Sequence, residues 1–288
     1  MHWYIIKERL IYTELNKLKD EPSKQPVLHG MFWCPTKYRD TLIDKVKEIS
    51  TRLKVPGIQV ERIDFEAEKK VPPTFIETND FIWPFQEIVN TYGVPQYKEV
   101  NPAIFASVTF PFLFGVMFGD VFHGVILTVF AAVLCFKAFE KGSAFGAMKP
   151  LRYLLLLMGL FSTFCGFIYN DFTSIPMQAF GPSCYQMSQA QPDYGTPRAE
   201  CVYPVGVDPV WYLAKNELSY MNSLKMKVAV ILGVAQMTLG VVLKGLNYRY
   251  QGKRLEFWFE AVPQLILLLS LFGFMDILIV IKWLTDYS

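Results

Sequence analysis

Asp120 and His123 are the residues of the apolar part of the sequence whose types and spacing best suit proton chemistry. A separation of three positions places both side chains on one face of a helix, and both groups can exchange protons. They could form the polar lining at the mouth of a proton path. Alternatively, Asp120 caps backbone amides at a helix turn and His123 is neutral and hydrogen-bonded. The sequence favours the capping interpretation and leaves the proton path open.

Asp276 is a second proton-path candidate, because it is the only carboxylate deep in the apolar stretch 266–281. A charge in hydrocarbon is costly, so an acid at that depth is expected to have a function or to face a water-filled cavity. No neighbouring motif assigns a role to Asp276, and it is therefore a weaker proton-path candidate than Asp120 and His123.

Small residues in the apolar stretches have the spacing that lets two helices approach closely. They are Gly115 with Gly119, Gly159 with Gly166 one heptad later, and Ala229 with Gly233. Helix packing is the favoured role of these glycines, and a role in an ion path is the alternative.

The five cysteines do not predict a metal site, because no pair has the CxxC spacing. Cys184 and Cys201 lie in one polar loop with 16 residues between them, and could close a disulfide in an oxidising compartment. The others, Cys34, Cys135 and Cys165, are interpreted as small buried hydrophobic residues.

The composition divides the chain into a water-facing part and a membrane-embedded part. Apolar residues occupy 52% of the 288 positions, charged residues occupy 19%, and the mean hydropathy is +0.25. The charges crowd into about the first hundred residues and a few short loops, a pattern that argues against a purely soluble enzyme. A net charge of +2 without a long run of Lys and Arg argues against a nucleic-acid partner.

Apolar segments predict five membrane crossings. Residues 104–136, as one helix of about 50 Å, would exceed a hydrocarbon core of about 30 Å. We therefore predict a hairpin of two short helices that turns near Gly119 and Asp120. The further spans are predicted at 153–168, 228–246 and 257–283.

Short basic loops give the predicted orientation, since loops rich in Lys and Arg stay in the cytoplasm. Such loops lie within 137–152 and 244–254, whereas the long segment 171–226 has five acids against three bases and is predicted to be lumenal. The N terminus carries no signal peptide and is predicted to be cytosolic, so the stretch 104–136 must cross an even number of times.

The predicted fold class is mainly α: a polytopic α-helical membrane protein with a small cytosolic α+β portion at its N terminus. That portion combines an amphipathic helix near 3–19 with strands near 27–34 and 57–63. The predicted division is 1–75 as a partial cytosolic α+β domain, 76–103 as an interfacial linker helix, 104–136 as the membrane hairpin, 137–170 as a cytoplasmic loop and a span, 171–226 as the lumenal loop, and 227–288 as two further spans with a basic cytoplasmic loop.

Five sequence runs resemble subunit a of the eukaryotic vacuolar-type proton ATPase and occur in the order that this family shows. They are PPTFIETNDFIWPFQEIVNTYGVPQYKEVNPAIFASVTFPFLFGVMFGDVFHG, LLLLMGLFSTFCGFIYNDF, YPVGVDPVW, NSLKMKVAVILGVAQMTLGVV and VPQLILLLSLFGFMDILIVIKWL. The resemblance extends from about residue 3 to residue 283.

The resemblance implies a stator subunit of the membrane (Vo) sector, which couples ATP-driven rotation of a proteolipid ring to proton transport and organelle acidification. In this family the cytosolic half binds peripheral stalks, and the membrane half abuts the proteolipid c-ring within the lipid bilayer. The implied location is the membrane of the vacuole, lysosome, endosome or Golgi, or the plasma membrane. No cofactor is implied, and because the sequence has no P-loop, ATP hydrolysis would belong to partner subunits.

The sequence departs from the family pattern at two positions. Phe122 replaces a glycine that is common in the turn motif, and Gln236 stands where a histidine is frequent. Lys225 and Lys244 lie at the ends of predicted spans, where the side chains are expected to snorkel to the interface.

The resemblance also places the arginines that face the ring carboxylates on helices later than Ser288. The predicted spans contain no central Arg or Lys, and a ring carboxylate needs a fixed cation to release its proton in hydrocarbon. We therefore expect this polypeptide not to translocate protons unaided. The alternative function is a non-conducting assembly or targeting protein that binds components of the proton pump.

Overall fold

The computed structural model describes residues 2–20, 28–54, 58–62, 72–137, 143–188, 191–197 and 201–285. Contacts divide the chain into two compact units, Met1–Phe75 and Ile76–Ser288.

The first unit contains two helices and one short hairpin. Helix α1 spans His2–Leu15, strands β1 (Lys19–Asp20) and β2 (Leu28–His29) pair antiparallel, and helix α2 spans Arg39–Leu53. The predicted strand near 27–34 is therefore only two residues long where it is described. Residues 58–62 of the other predicted strand are not in a sheet, since an alternating pattern makes a strand only where a partner strand lies beside it.

The second unit begins with three helices. Helix α3 spans Trp83–Tyr92, α4 spans Ala103–Phe118 and α5 spans Val121–Phe136. Each of α4 and α5 has 16 residues, and the two helices are separated by Gly119 and Asp120. They are apolar but shorter than an ordinary membrane-crossing helix.

Helix α7, Arg152–Tyr169, lies between α4 and α5. Gly159 approaches Thr128 and Gly166 approaches Val121, so α5 runs antiparallel to α7. Helix α4 runs in the same direction as α7, and a short helix α6 (Ala144–Met148) leads into α7. The pair α4 and α5 is thus a splayed hairpin with α7 as its centre.

The chain then forms a loop with small sheets and two long helices. In the loop β3 (Asp171–Phe172) pairs with β4 (Ile175–Pro176), and β5 (Tyr185–Ser188) pairs with β6 (Gln191–Pro197). Helix α8 spans Glu217–Tyr250, and the last helix, α9, spans Arg254–Leu284 with two π-helical segments.

Among the residues that the structure describes, three helical segments are long and apolar enough to cross a membrane: Phe145–Tyr169, Glu217–Tyr250 and Arg254–Leu284. They confirm the prediction of a mainly helical membrane fold with a small N-terminal α+β portion. The five-crossing topology, the hairpin's insertion and the domain boundaries stay predictions.

The core of the second unit lies where α4 and α7 end and α8 begins. Its buried residues are Val116, Cys165, Tyr169, Tyr212 and Met221. Because Tyr212 comes from the loop, the loop is packed onto the helices and its position is linked to theirs.

Candidate functional site

Asp120 occupies the turn between α4 and α5 and is engaged through both carboxylate oxygens. Its Oδ1 accepts hydrogen bonds from the backbone N–H groups of Phe122, at 3.1 Å, and Thr173, at 3.0 Å. Its Oδ2 pairs with Nδ1 of His123. The carboxylate therefore caps α5 and also fastens the loop that follows α7.

The Thr173 contact stabilises a backbone that is unfavourable by itself. Thr173 and Ser174 connect β3 to β4 with positive φ angles of 53° and 61°, a region that is uncommon for residues other than glycine and least favourable for β-branched residues such as threonine. Asp120 accepts from the Thr173 amide, and Asp171 Oδ1 accepts from the Ser174 amide at 2.8 Å. The two carboxylates thus hold both strained residues of this turn.

His123 is the more accessible member of the predicted pair. Its side chain is 53% exposed, whereas the side chain of Asp120 is 13% exposed. Phe118 and Phe122 place their rings edge-on to the imidazole. The Asp120 carboxylate beside the imidazole fixes the orientation of the His123 ring.

A second polar cluster lies at the same end of α7. Lys225 Nζ lies 3.5 Å from Asp171 Oδ2 and 5.0 Å from the centre of the Tyr169 ring. The expected snorkelling of Lys225 is therefore replaced by an ion pair, since the loop brings a carboxylate to the helix. Burial raises the pKa of the Tyr212 phenol, and the negative charge of nearby Asp171 raises it further, so this phenol stays neutral at physiological pH.

Asn170 connects the end of α7 to the loop. It is fully buried, and its Nδ2 donates to the Val207 carbonyl at 2.7 Å and to the Tyr203 hydroxyl at 3.2 Å. The Val207 amide in turn donates to the Ile168 carbonyl at 2.9 Å. The last of these bonds satisfies a carbonyl that the end of α7 leaves without a partner, and the Asn170 bonds fasten the loop beside it.

Asp208 organises the next part of the loop. Its carboxylate accepts from Ser183 Oγ at 2.6 Å and from the amides of Cys184 and Val210 at 2.9 Å each. Cys184 forms a disulfide with Cys201, with their Cα atoms 5.5 Å apart. The disulfide therefore closes the loop from Cys184 to Cys201, and the hydrogen bond from the Cys184 amide to Asp208 fixes the start of that loop.

Replacing Cys184 by serine is expected to lower the free energy of unfolding by about 2 kcal/mol, because it reopens a loop of 17 residues. Thermal unfolding of the chain in detergent would measure the change. Cys135→Ser is the matched control, since Cys135 has no disulfide and is only partly buried. An equal effect of both variants would contradict the disulfide's contribution.

The glycines of α4, α5 and α7 lie where the helix backbones touch. A Cβ atom at Gly115 would lie 2.7 Å from the Phe161 carbonyl carbon, and one at Gly119 would lie 2.5 Å from the Tyr169 ring. Gly159 and Gly166 are similarly close to the α5 backbone.

Two close-packed glycines were not singled out by the sequence, and one predicted glycine has no neighbour. Gly124 faces the Thr163 backbone and Gly206 faces the Ile168 carbonyl. Gly124 follows His123 in the turn motif, which could have indicated it. At Gly233, by contrast, no described atom lies within 4 Å of an added Cβ, so its packing role stays a prediction.

The structure does not join Asp276 to the predicted pair. Asp276 lies on α9, and within the described ranges no hydrogen bond or ion pair connects it to Asp120 or His123. Its Oδ1 is buried without a hydrogen-bond partner among the residues that the structure describes. In the same ranges no three His, Cys, Asp or Glu side chains converge as metal ligands do.

A polar contact between α8 and α9 was not predicted. Lys244 Nζ lies 2.6 Å from Glu260 Oε1 and 3.2 Å from Gln264 Oε1, and the Tyr248 hydroxyl donates to Glu260 at 3.0 Å. Lys244 therefore pairs across the helices, whereas the sequence suggested that it snorkels. The sequence feature that could have predicted this contact is the pair of opposite charges, Lys244 and Glu260, on either side of the short turn that joins α8 to α9.

Comparison with known proteins gives a match over the full length of the chain. Residues 1–288 match the model of the V-type ATPase 116kDa subunit family. The chain is 40% identical to V-type proton ATPase subunit a1 of Arabidopsis thaliana and 41% identical to the vacuolar proton translocating ATPase 100 kDa subunit of Dictyostelium discoideum, covering 97% and 98% of this chain and 35% of each relative. It is 36% identical to V-type proton ATPase 116 kDa subunit a1 of Xenopus laevis, over 98% of this chain and 36% of the relative. The chain thus spans about a third of the length of the curated relatives it matches.

Proposed function

This chain belongs to the V-type ATPase 116kDa subunit family, and from that membership we propose that it serves in the stator of a V-type proton ATPase. The proposed role is to hold the membrane sector fixed while ATP-driven rotation of a proteolipid c-ring moves protons and acidifies an organelle. The observation that carries the proposal is the family match along all 288 residues, together with relatives named as subunit a.

The proposed partners are the c-ring, the peripheral stalk, other V-type ATPase subunits and the lipid bilayer. The apolar helices support membrane insertion, since most large apolar side chains of α8 and α9 are exposed on the helix surfaces. The proposed location is an acidic endomembrane or the plasma membrane, with the N-terminal unit in the cytosol and the loop after α7 in the lumen.

The geometry supports a framework role for the cluster at Asp120. A stator needs a part that does not deform when a neighbouring ring turns. The interlocked glycines of α5 and α7 and the carboxylate bonds of Asp120 and Asp171 supply many short-range constraints at one end of the helices. His123 is proposed as the proton-exchanging member of the site, and Asp276 remains a separate candidate on α9.

The test is ATP-driven acidification by the complex that contains this chain. The chain would carry an affinity tag within its native protein, and the purified complex would be placed in sealed vesicles with a pH-sensitive dye. We expect ring and stalk subunits to co-purify and the vesicle interior to acidify when ATP is added, with collapse of the gradient by a protonophore. Co-purification without acidification would support the non-conducting assembly role, and absence of both would refute the proposal.

A further inference from the structure

The end of the second unit opposite Asp120 contains a junction between the linker helix α3 and the membrane helices. Helix α3 packs against α4 and α7, with Pro84, Phe85 and Gln86 as its buried residues. At the rim, Asp80 pairs with Arg152 at 2.9 Å. This junction connects the segment that precedes the membrane helices to the helices themselves.

A chain of amide hydrogen bonds crosses the junction. Gln86, only 4% exposed, accepts from Asn101 Nδ2 through its Oε1 at 2.8 Å and donates to Asn90 Oδ1 at 2.9 Å. Asn101 Oδ1 accepts from the Ala103 amide, the first residue of α4, at 3.1 Å. One buried glutamine is therefore bonded both within α3 and to Asn101, the residue whose side chain accepts from the first amide of α4.

The same segment is also bonded to α8. The Val100 amide donates to Asn247 Oδ1 at 3.0 Å, and Asn247 lies in the last turn of that 34-residue helix. Residues 100 and 101 are thus held by α3 on one side and by α8 on the other. Amides are uncharged, so neither salt nor a change of pH near neutrality breaks these bonds.

We propose that Gln86, Asn101 and Asn247 form an amide clamp that transmits the mechanical load of rotation between the linker and the membrane helices. The inference rests on the proposed stator function and goes beyond it, because it names the residues that hold the linker helix α3 in a fixed position relative to the membrane helices. The bond from Asn101 to Gln86 joins α3 to the segment that leads into α4, whereas the bond from Gln86 to Asn90 stays within α3. The clamp residues are positioning residues, and they do not bind or transfer the transported proton.

The experiment compares the protons moved per ATP hydrolysed in complexes that carry single substitutions. Gln86→Leu removes the bond to Asn101, and we expect the coupling ratio to fall below that of the native complex, because α3 loses its hydrogen bond to the segment that leads into α4. ATP hydrolysis and co-purification of subunits should stay near the native level. A purely structural role would instead lower assembly, hydrolysis and transport together.

Two neighbouring substitutions are matched controls. Asn90→Ala removes the bond within α3 but leaves the bond to Asn101, and Glu87→Gln changes an exposed side chain of the same helix. Both should keep the native coupling ratio.

A native coupling ratio in assembled Gln86→Leu complexes would overturn the clamp. Should Gln86→Leu fail to assemble, Asn247→Ala decides, since it removes only the acceptor for the Val100 amide. A lowered ratio in Asn247→Ala supports the clamp, and a native ratio overturns it. If the native complex fails to acidify vesicles, both the proposed function and the clamp are overturned. If the native complex acidifies vesicles and the variants keep the native coupling ratio, only the clamp is overturned.

Discussion

Replacing Gly166 by leucine is expected to prevent α5 and α7 from packing together and to leave no folded protein. A Cβ atom at Gly166 already collides with the Val121 amide nitrogen and would lie 2.6 Å from the Asp120 carbonyl carbon. Both atoms belong to backbone, which cannot rotate away as a side chain can. Ordinary overpacking costs about 1–3 kcal/mol, and four added carbon atoms against a neighbouring backbone exceed that range. Yield of monodisperse protein in detergent and its thermal unfolding midpoint would measure the loss.

The matched control is Gly233→Leu on α8. Among the described residues no atom lies within 4 Å of a Cβ at Gly233, so leucine has room there. Leucine also favours the helix over glycine by about 0.8–1 kcal/mol. The control should therefore unfold at or slightly above the native midpoint. Folded Gly166→Leu protein with a native midpoint would show that α5 and α7 do not approach as described.

Replacing Asp120 by alanine is expected to lower the free energy of unfolding by about 3 kcal/mol, whereas Asp120→Asn should be nearly neutral. Alanine removes the helix cap and leaves the amides of Phe122 and Thr173 without an acceptor. Both amides bond to the same oxygen, Oδ1, which asparagine retains. The asparagine Nδ2 can then donate to Nδ1 of His123 in place of the carboxylate pairing. Thermal unfolding of the two variants would measure the difference.

The same pair of variants separates capping from proton conduction. Asparagine keeps the bonds and removes the charge, so a capping residue tolerates it and a proton-conducting carboxylate does not. We expect complexes with Asp120→Asn to acidify vesicles at close to the native rate. A stable Asp120→Asn complex with little acidification would assign the carboxylate to the proton path instead.

Much of the helical fold could be predicted from the sequence because apolar length and helix breakers are local signals. The structure ends α4 at Phe118 and begins α5 at Val121, around the predicted turn. The start of α8 was harder to predict. The apolar span was placed at 228–246, but the helix begins at Glu217, because the preceding residues form helix while packing against the loop. Hydropathy locates the segment within hydrocarbon and does not locate the end of the helix.

The contacts of the site could be predicted only in part. The spacing of Asp120 and His123 predicted that their side chains share one helical face, and in the structure Oδ2 of Asp120 pairs with Nδ1 of His123. Nothing local indicated that Thr173 donates to Asp120 or that Lys225 pairs with Asp171, since each contact joins segments more than fifty positions apart. Such pairs depend on which helix ends meet. Lys244 and Glu260, by contrast, are only 16 positions apart, and the opposite charges on either side of the turn between α8 and α9 could have predicted their contact.

The central position of α7 has a consequence for biosynthesis. Both α4 and α5 pack mainly on α7 and have few contacts with each other. A ribosome delivers α4 and α5 before α7, so both arms of the hairpin are synthesised ahead of the helix on which they pack. Thr173, which fastens the turn at Asp120, emerges later still. A nascent chain that stops short of α7 therefore carries an unfinished bundle, in which the surface of α5 around Gly124 is not yet covered by α7.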